Sequence, residues 1–406
     1  MRKKNILVLT YWSYRDALIQ TYTLPYVRMI RKNISSDSKL FLVTLEQKNL
    51  MLSKDEKEKK KAELSQSGIC WIALNFTKFS IKAIINQIIN LFIISCICFR
   101  YNIKQIHAWC TPAGMFGFLL SKLCNTSLVI DGFEPHAEPS VENGDWKKNG
   151  FPFRLLFFFE KLQIKHASLI IATSTYLQDY ALKKYNFKIR NLYIKPALID
   201  LKVFSISSRK NPEILKKYKL NEKIICVYAG KLGGIYLDQE IFDFYRVAYE
   251  YWGERFRALM LTNASREEII NKALKSRVPN DIIISMYLDH KEIPMHMGLA
   301  DFAINPVKPI KSKRCCTSIK DGEYWALGLP VIITDSLGDD IDIIRDNGTG
   351  FVLPSLEESS YLNAIKHIDE VMKKNSIEEI YQKVRPLAER YRDYKIAENI
   401  YKEIYG

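Results

Sequence analysis

Ser318 to Asp335 reads SIKDGEYWALGLPVIITD. Lys320 and Glu323 stand three residues apart, one turn of a helix. A small apolar helix follows, turns through Gly328 and enters the strand Pro330–Thr334. Helix, glycine turn, buried β-branched strand is the repeating unit of a parallel sheet covered by helices.

Outward from this stretch the same alternation runs along the chain. Strands are predicted at Ile6–Thr10, Leu40–Leu45, Cys70–Ala73, Gln105–Trp109, Leu128–Asp131, Leu169–Thr173 and Leu192–Lys195, with helical patterns between most of them. Thr111-Pro112 is a helix start, a capping hydroxyl followed by proline. Leu198–Ile214 has no clear period and is rich in Ser and Lys, which reads as a linker. The pattern restarts at Ile224–Ala229 and continues through Arg257–Thr262, Ile282–Tyr287, Phe302–Val307, Val331–Thr334 and Gly350–Leu353. From Glu357 on only helices follow. The expected fold class is α/β: two Rossmann-like, doubly wound domains facing across a cleft. The expected bounds are 1–200 and 201–380, with helices over 381–406 packing back on the first domain.

With 406 residues the chain is too long for one compact core. Its net charge of +15 favours anionic partners: phosphates, nucleic acid or an anionic membrane surface. Arginine-rich and aromatic-stacking patterns are missing, since the lysines are scattered, which argues against nucleic acid. No C-x-x-C pair occurs among the eight cysteines. Cys96, Cys98 and Cys226 lie in apolar runs and read as reduced core residues of a cytoplasmic protein. The apolar run Ile6–Leu9 is too short for a signal peptide. The segment Ala83–Phe99, AIINQIINLFIISCICF, is nearly all apolar, with Asn86, Gln87 and Asn90 on one side and Lys82 and Arg100 flanking it. A buried helix between strands is the plainer reading, and a helix dipping into a bilayer surface is the alternative. Met51–Ser65 is a mixed-charge, solvated helix.

Ligands of open α/β sheets bind at the C-terminal ends of the strands. After the first strand of the second domain comes YAGKLGGIYLD, Tyr228–Asp238. Gly230, Gly233 and Gly234 let a backbone approach a ligand, Lys231 adds charge, and the next helix offers free N–H groups, together a diphosphate cradle. The plain alternative is a turn. A helix over Ile319–Leu327 points Lys320 and Glu323 from its first turns. The lysine there suits phosphate oxygens, and the carboxylate suits vicinal hydroxyls such as those of a ribose. Against this stands an ordinary intrahelical pair. Gly338 and Asp339 supply another helix start near the same strand ends, with capping as the plain role. In the first domain DGFEPHAEP, Asp131–Pro139, crowds Asp131, Glu134, His136 and Glu138 after a strand. A histidine or carboxylate at a strand end can take a proton from a bound hydroxyl, with a polar loop of caps and salt bridges as the plain alternative. His136 is favoured because three carboxylates surround it in sequence and would raise its pKa. His107 in QIHAWC is a second candidate that suits a core histidine equally well.

KDGEYWALGLPVIITDSLGDDIDIIRDNGTGFVL resembles the donor-binding signature of GT-B glycosyltransferases of the family 4 type. VYAGKLGG resembles the glycine loop that opens their C-terminal domain. YWSYRDALIQTYTLPYVRMI, HAWCTPAG and VIDGFEPHAE resemble the N-terminal half of bacterial surface-polysaccharide members, of the lipopolysaccharide and capsule type. The resemblance implies a nucleotide-diphosphate sugar as donor substrate, a glycan acceptor, retained configuration, no metal and no other cofactor. It assigns Glu323 to the ribose, Lys231 and Lys320 to the diphosphate, and the three loop glycines to its approach. The family's earlier Glu of E-x7-E is Cys315 here, so its work falls to Asp321 or to backbone groups of Arg314–Ser318. The implied enzyme is a glycosyltransferase acting on a lipid-linked glycan, cytoplasmic and peripheral on the inner face of the plasma membrane. Two rivals remain: a nucleotide-sugar 2-epimerase of the same fold, and a non-catalytic GT-B-like scaffold.

Overall fold

The computed structural model of the chain describes residues 4–16, 18–77 and 81–406. Ala17 and the side chain of Lys82, both within stretches singled out above, lie outside the described residues. Two compact units result, one of residues 1–195 with 395–406 and one of residues 196–394. The first chain crossing therefore falls at Lys195-Pro196, and only the last helix returns to the first unit. The helix over Ile377–Tyr391, expected in part to return, stays with the second unit, where Ile380, Val384 and Leu387 join its core.

The first unit holds seven strands: β1 (Asn5–Leu9), β2 (Leu40–Glu46), β3 (Ile69–Asn75), β4 (Ile103–Trp109), β5 (Ser127–Phe133), β6 (Leu169–Ala172) and β7 (Leu192–Ile194). Their order is β3-β2-β1-β4-β5-β6-β7, all parallel. Every residue of β2 is buried, as a strand covered on both faces requires. Between the strands run α1 (Leu24–Asn33), α2 (Lys54–Gln66), α3 (Ile81–Arg100), α4 (Cys110–Leu123), α5 (Ala137–Glu142), α6 (Phe151–His166) and α7 (Leu177–Tyr180). The charged α2 starts at a reciprocal Ser53–Glu56 capping box and buries only Leu64. Thr111 does not cap α4; its hydroxyl donates instead to the Glu134 carbonyl at 2.5 Å.

The chain steps from β3 to β4, β5 and β6 in one direction across the sheet, and from β1 to β2 to β3 in the other. Right-handed crossovers then put α3, α4 and α6 on one face and α1 and α2 on the opposite face. Ile94 and Cys98 of α3, Phe118 of α4 and Ile164 of α6 share one core with the strands. The outer side of α3 departs from the buried helix expected. Ile84, Ile88 and Phe92 are 60%, 60% and 70% exposed, and Cys96 is exposed too. The polar stripe faces inward instead: Asn86 and Asn90 both donate to the Asn75 carbonyl at the end of β3, at 2.8 and 3.1 Å. Cys98 and Cys226 are buried as expected, and all eight cysteines are free.

The second unit has six strands: β8 (Ile224–Ala229), β9 (Phe256–Leu261), β10 (Ile283–Met286), β11 (Phe302–Asn305), β12 (Val331–Thr334) and β13 (Gly350–Leu353). Their order is β10-β9-β8-β11-β12-β13, again all parallel. Its helices are α8 (Pro212–Lys217), α9 (Glu240–Trp252), α10 (Arg266–Lys275), α11 (Ile293–Met297), α12 (Ile319–Ala326), α13 (Gly338–Asn347), α14 (Glu358–Lys374) and α15 (Ile377–Tyr391). Strand order reverses between β8 and β11, the place where doubly wound sheets hold ligands. The last helix, α16 (Lys395–Tyr405), packs beside α1 and sends Tyr401 and Tyr405 into the first unit.

Candidate functional site

In the second unit the loop leaving β8 meets the start of α12. Gly230 has φ 153°, and a Cβ on it would stand 2.7 Å from Lys320 Cε and 3.0 Å from the Tyr228 hydroxyl oxygen. A side chain there would displace the lysine. Lys320 is buried, and its Nζ donates to the Tyr236 hydroxyl at 2.7 Å while lying 3.9 Å from the Tyr236 ring centroid. Tyr236 is held by the chain on both sides: Leu237 N–H donates to the Pro306 carbonyl at 2.7 Å, and Lys308 N–H to the Ile235 carbonyl at 3.0 Å. The Tyr228 hydroxyl donates to the Lys231 carbonyl at 2.5 Å, which leaves the Lys231 side chain exposed. Gly233 and Gly234, at φ 72° and 66°, complete the turn.

Glu323 sits one turn further along α12 and is half-buried. Burial raises its carboxyl to about 7, against the pull of Lys320. Among the described residues it accepts no hydrogen bond. A half-buried carboxyl with no protein donor has its hydrogen-bonding capacity unspent.

Behind this pair lies a buried polar cluster. Asp321 is fully buried, and Asn305 Nδ2 donates to its Oδ1 at 2.8 Å. Asp340 is fully buried, ion-paired with Arg392, and accepts the Ser318 N–H at 3.3 Å. Burial and the neighbouring Asp340 push the Asp321 carboxyl well above the usual carboxylate range. Asp321 is therefore committed to the interior of the second unit. Cys315, at that position, is 2% exposed. Ser318 caps α12 by position but not through its hydroxyl. Gly338 opens α13 and is buried, with Asp339 partly exposed beside it. Gly230, Lys320 and Glu323 thus come together at the strand reversal, with Ser318 tied to α13. Tyr236, which the sequence reading passed over, completes the lysine's seat.

The DGFEPHAEP loop of the first unit does not form the ring of carboxylates expected around His136. Asp131 is fully buried. Lys195 Nζ stands 2.7 Å from its Oδ1, and His107 Nε2 and the Tyr401 hydroxyl stand 3.1 and 2.6 Å from its Oδ2. Burial raises the Asp131 carboxyl, but Lys195 and His107 outweigh it and bring it down to about 2. Lys195 is lowered by burial to about 8, so the pair is ionised at neutral pH. Lys195 also donates to the Tyr401 hydroxyl at 2.7 Å and lies 3.8 Å from the Tyr26 ring centroid. His107 is a satisfied core histidine, with Tyr405 Oη 2.5 Å from its Nδ1. Glu134 accepts from the Thr173 hydroxyl at 3.0 Å, and Glu138 pairs with Lys184 at 2.6 Å. The half-buried His136 has Nδ1 2.7 Å from the Glu134 carbonyl, and among the described residues its Nε2 has no hydrogen-bond partner.

The residue that shapes this loop is Glu160 of α6. It is buried and accepts the N–H groups of His136 and Ala137 at 2.7 and 3.0 Å and the Tyr185 hydroxyl at 2.9 Å. Burial raises its carboxyl. The sequence signal was an acid isolated in FPFRLLFFFEKL, where a charge needs partners to be buried.

Among the described residues no three His, Cys, Asp or Glu side chains gather as a metal site. Searched as a sequence, the chain matches no known protein family and no curated protein. Solved structures do resemble it. A glycosyltransferase from Rickettsia africae is 16% identical, with a TM-score of 0.67 over 100% of this chain and 98% of that one. HepE of Anabaena, solved with UDP, is 14% identical, with a TM-score of 0.70 over 98% and 99%. Sucrose-phosphate synthase from Thermosynechococcus elongatus is 12% identical, with a TM-score of 0.71 over 99% and 98%. The fold of this chain is thus that of the GT-B glycosyltransferases.

Proposed function

We propose that this chain is a glycosyltransferase that moves a sugar from a nucleotide-diphosphate donor to a glycan acceptor carried on a lipid, in the making of a bacterial surface polysaccharide. One observation carries the reading: Glu323 is half-buried without a protein partner, one turn from a buried Lys320 seated on Tyr236 over Gly230. Glu323 accepts the ribose hydroxyls. Lys320 and Lys231, with the N-terminus of α12, balance the diphosphate charge as it becomes the leaving group, the role a cation otherwise fills. Gly230, Gly233 and Gly234 let the diphosphate approach, and Ser318, Gly338 and Asp339 border the sugar side. Transfer retains the anomeric configuration and needs no metal. The UDP bound to HepE supports a nucleotide in this fold.

On the acceptor side, His136 Nε2 orients or deprotonates the acceptor hydroxyl, and Glu134 borders it. Asp131 supports from within, through the core that Lys195 and Tyr401 close. The test is a thermal-shift screen of the purified chain against UDP, GDP, dTDP, CMP and their sugars, beside Glu323→Ala. A nucleotide at one hundred times its dissociation constant stabilises by about 2.7 kcal/mol. Loss of that shift in the variant supports the reading, and no shift in the parent protein removes it. Sugar-nucleotide products formed without any acceptor point instead to a 2-epimerase.

A further inference from the structure

Large apolar side chains on a soluble surface are normally scattered. Among the described residues eleven of the twenty-two that are exposed lie on three neighbouring helices: seven on α3, three on α6 and Leu123 at the end of α4. On α3 they recur at Ile84, Ile85, Ile88, Ile89 and Phe92, which keeps them on one side of the helix. On α6, Phe151, Leu155 and Phe158 follow the same spacing. The α4 helix packs against both neighbours, and its C-terminal Lys122 stands 3.5 Å from His166 of α6.

The charges on these helices point one way. Arg100, Lys122, Arg154 and Lys165 are exposed. The only acid on α3, α4 and α6 is Glu160, which is buried under the loop of His136. The exposed charges that these three helices themselves carry are therefore all basic, beside an apolar outer side. Asn86 and Asn90, the groups that could have turned α3 around, are fastened to the Asn75 carbonyl, so the isoleucines stay outward. Among the described residues no helix is long and apolar enough to cross a membrane. A surface with these contents lies on a bilayer rather than through it.

We propose that the outer face of α3 and α6, with the end of α4, docks on an anionic lipid bilayer. The apolar side chains enter the headgroup boundary, and Arg100, Lys122, Arg154 and Lys165 meet the lipid phosphates. The face starts at the edge of the sheet where the His136 loop lies, because α3 and α6 both begin after C-terminal strand ends. An acceptor anchored in that bilayer is thereby brought to the loop. The proposal deepens the reading of a lipid-linked acceptor and rests on it for why the protein meets a bilayer.

The test is flotation of the full chain with vesicles of phosphatidylcholine, with and without phosphatidylglycerol. The chain is expected to float with the anionic vesicles and to be released by raised salt. Ile88→Asp with Phe92→Asp removes binding, and so does Phe151→Asp with Phe158→Asp, while circular dichroism stays unchanged because these side chains are exposed. Arg154→Ser weakens binding by about fivefold, the loss of one cation at the surface. Equal flotation with pure phosphatidylcholine, or full binding by both double variants, overturns the proposal. So does a protein that ignores vesicles but forms a dimer by light scattering that Phe92→Asp dissociates; that result makes the face a contact between copies. A chain that binds vesicles and no nucleotide leaves the surface standing and removes the transferase reading. The reverse result removes only the surface.

Discussion

Each unit buries a lysine beside a carboxyl group, and the two sites differ in what the oxygens touch. Asp131 of the first unit has Lys195, His107 and Tyr401 on its oxygens and is held ionised at about 2. Glu323 of the second unit has no hydrogen bond from the described residues, and its carboxyl is raised to about 7. Lys195 is enclosed by Asp131, Tyr401, Tyr26 and Trp109, whereas Lys320 rests on one tyrosine beside a glycine. A carboxylate whose partners are complete has spent its binding capacity on the fold. One that lacks them still has it unspent, which is what the proposed nucleotide site needs. Proximity of charges in the sequence does not separate these cases, but completeness of partners does.

The largest effect is expected on the closed side. Lys195→Met leaves Asp131 buried and unpaired, and removing one partner of such a pair costs about 3–5 kcal/mol. Chemical denaturation should show that loss, and nucleotide affinity of the folded fraction should not change. On the open side Glu323→Gln should not lower stability at neutral pH, and should weaken nucleotide binding by about 1.5–3 kcal/mol, the range for a hydrogen bond to a charged group, as titration calorimetry would read. A Glu323→Gln protein that unfolds as readily as Lys195→Met breaks the contrast.

The raised Glu323 carboxyl adds a pH dependence of definite sign. The folded state holds this proton more tightly than the unfolded state, whose ordinary value is 4.5. Stability from this group is thus complete below about 4.5 and is lost as pH rises through about 7. Ribose hydroxyls donate to the charged form, so nucleotide affinity should rise over the same interval. Both trends should be absent from Glu323→Gln, by denaturation and by calorimetry across that interval.

Smaller effects sharpen the picture of Lys320. Gly230→Ala places a methyl group 2.7 Å from Lys320 Cε and should weaken nucleotide binding by about tenfold, or about 1.4 kcal/mol, by moving the lysine. Tyr236→Phe removes one hydrogen bond to the lysine, worth about 0.5–1.5 kcal/mol, and should weaken nucleoside diphosphates while leaving the nucleoside unaffected.

All thirteen strands were legible in the sequence, because a strand buried on both faces must be a short apolar run between turns. The glycine loop was legible for a related reason, since positive φ at Gly233 and Gly234 leaves few choices of residue. The facing direction of α3 was not. Its asparagines marked one side of the helix without telling which way that side turns, and the carbonyl at the end of β3 claims two of them. The acidic loop misled in the same way. The partners of Asp131, Glu134 and Glu138 are Lys195, Thr173 and Lys184, each tens of residues away, and no local pattern announces such pairings. Tyr236 was hidden likewise, meeting Lys320 across 84 residues of chain.

The most direct measurement is calorimetric titration of UDP, GDP and dTDP into the protein and into Glu323→Gln, below and above the Glu323 midpoint of about 7. The account predicts that one nucleotide binds the parent protein, more tightly above the midpoint, and that the variant loses both affinity and pH dependence. Equal binding to both proteins at both conditions, or no binding of any nucleotide, would contradict it.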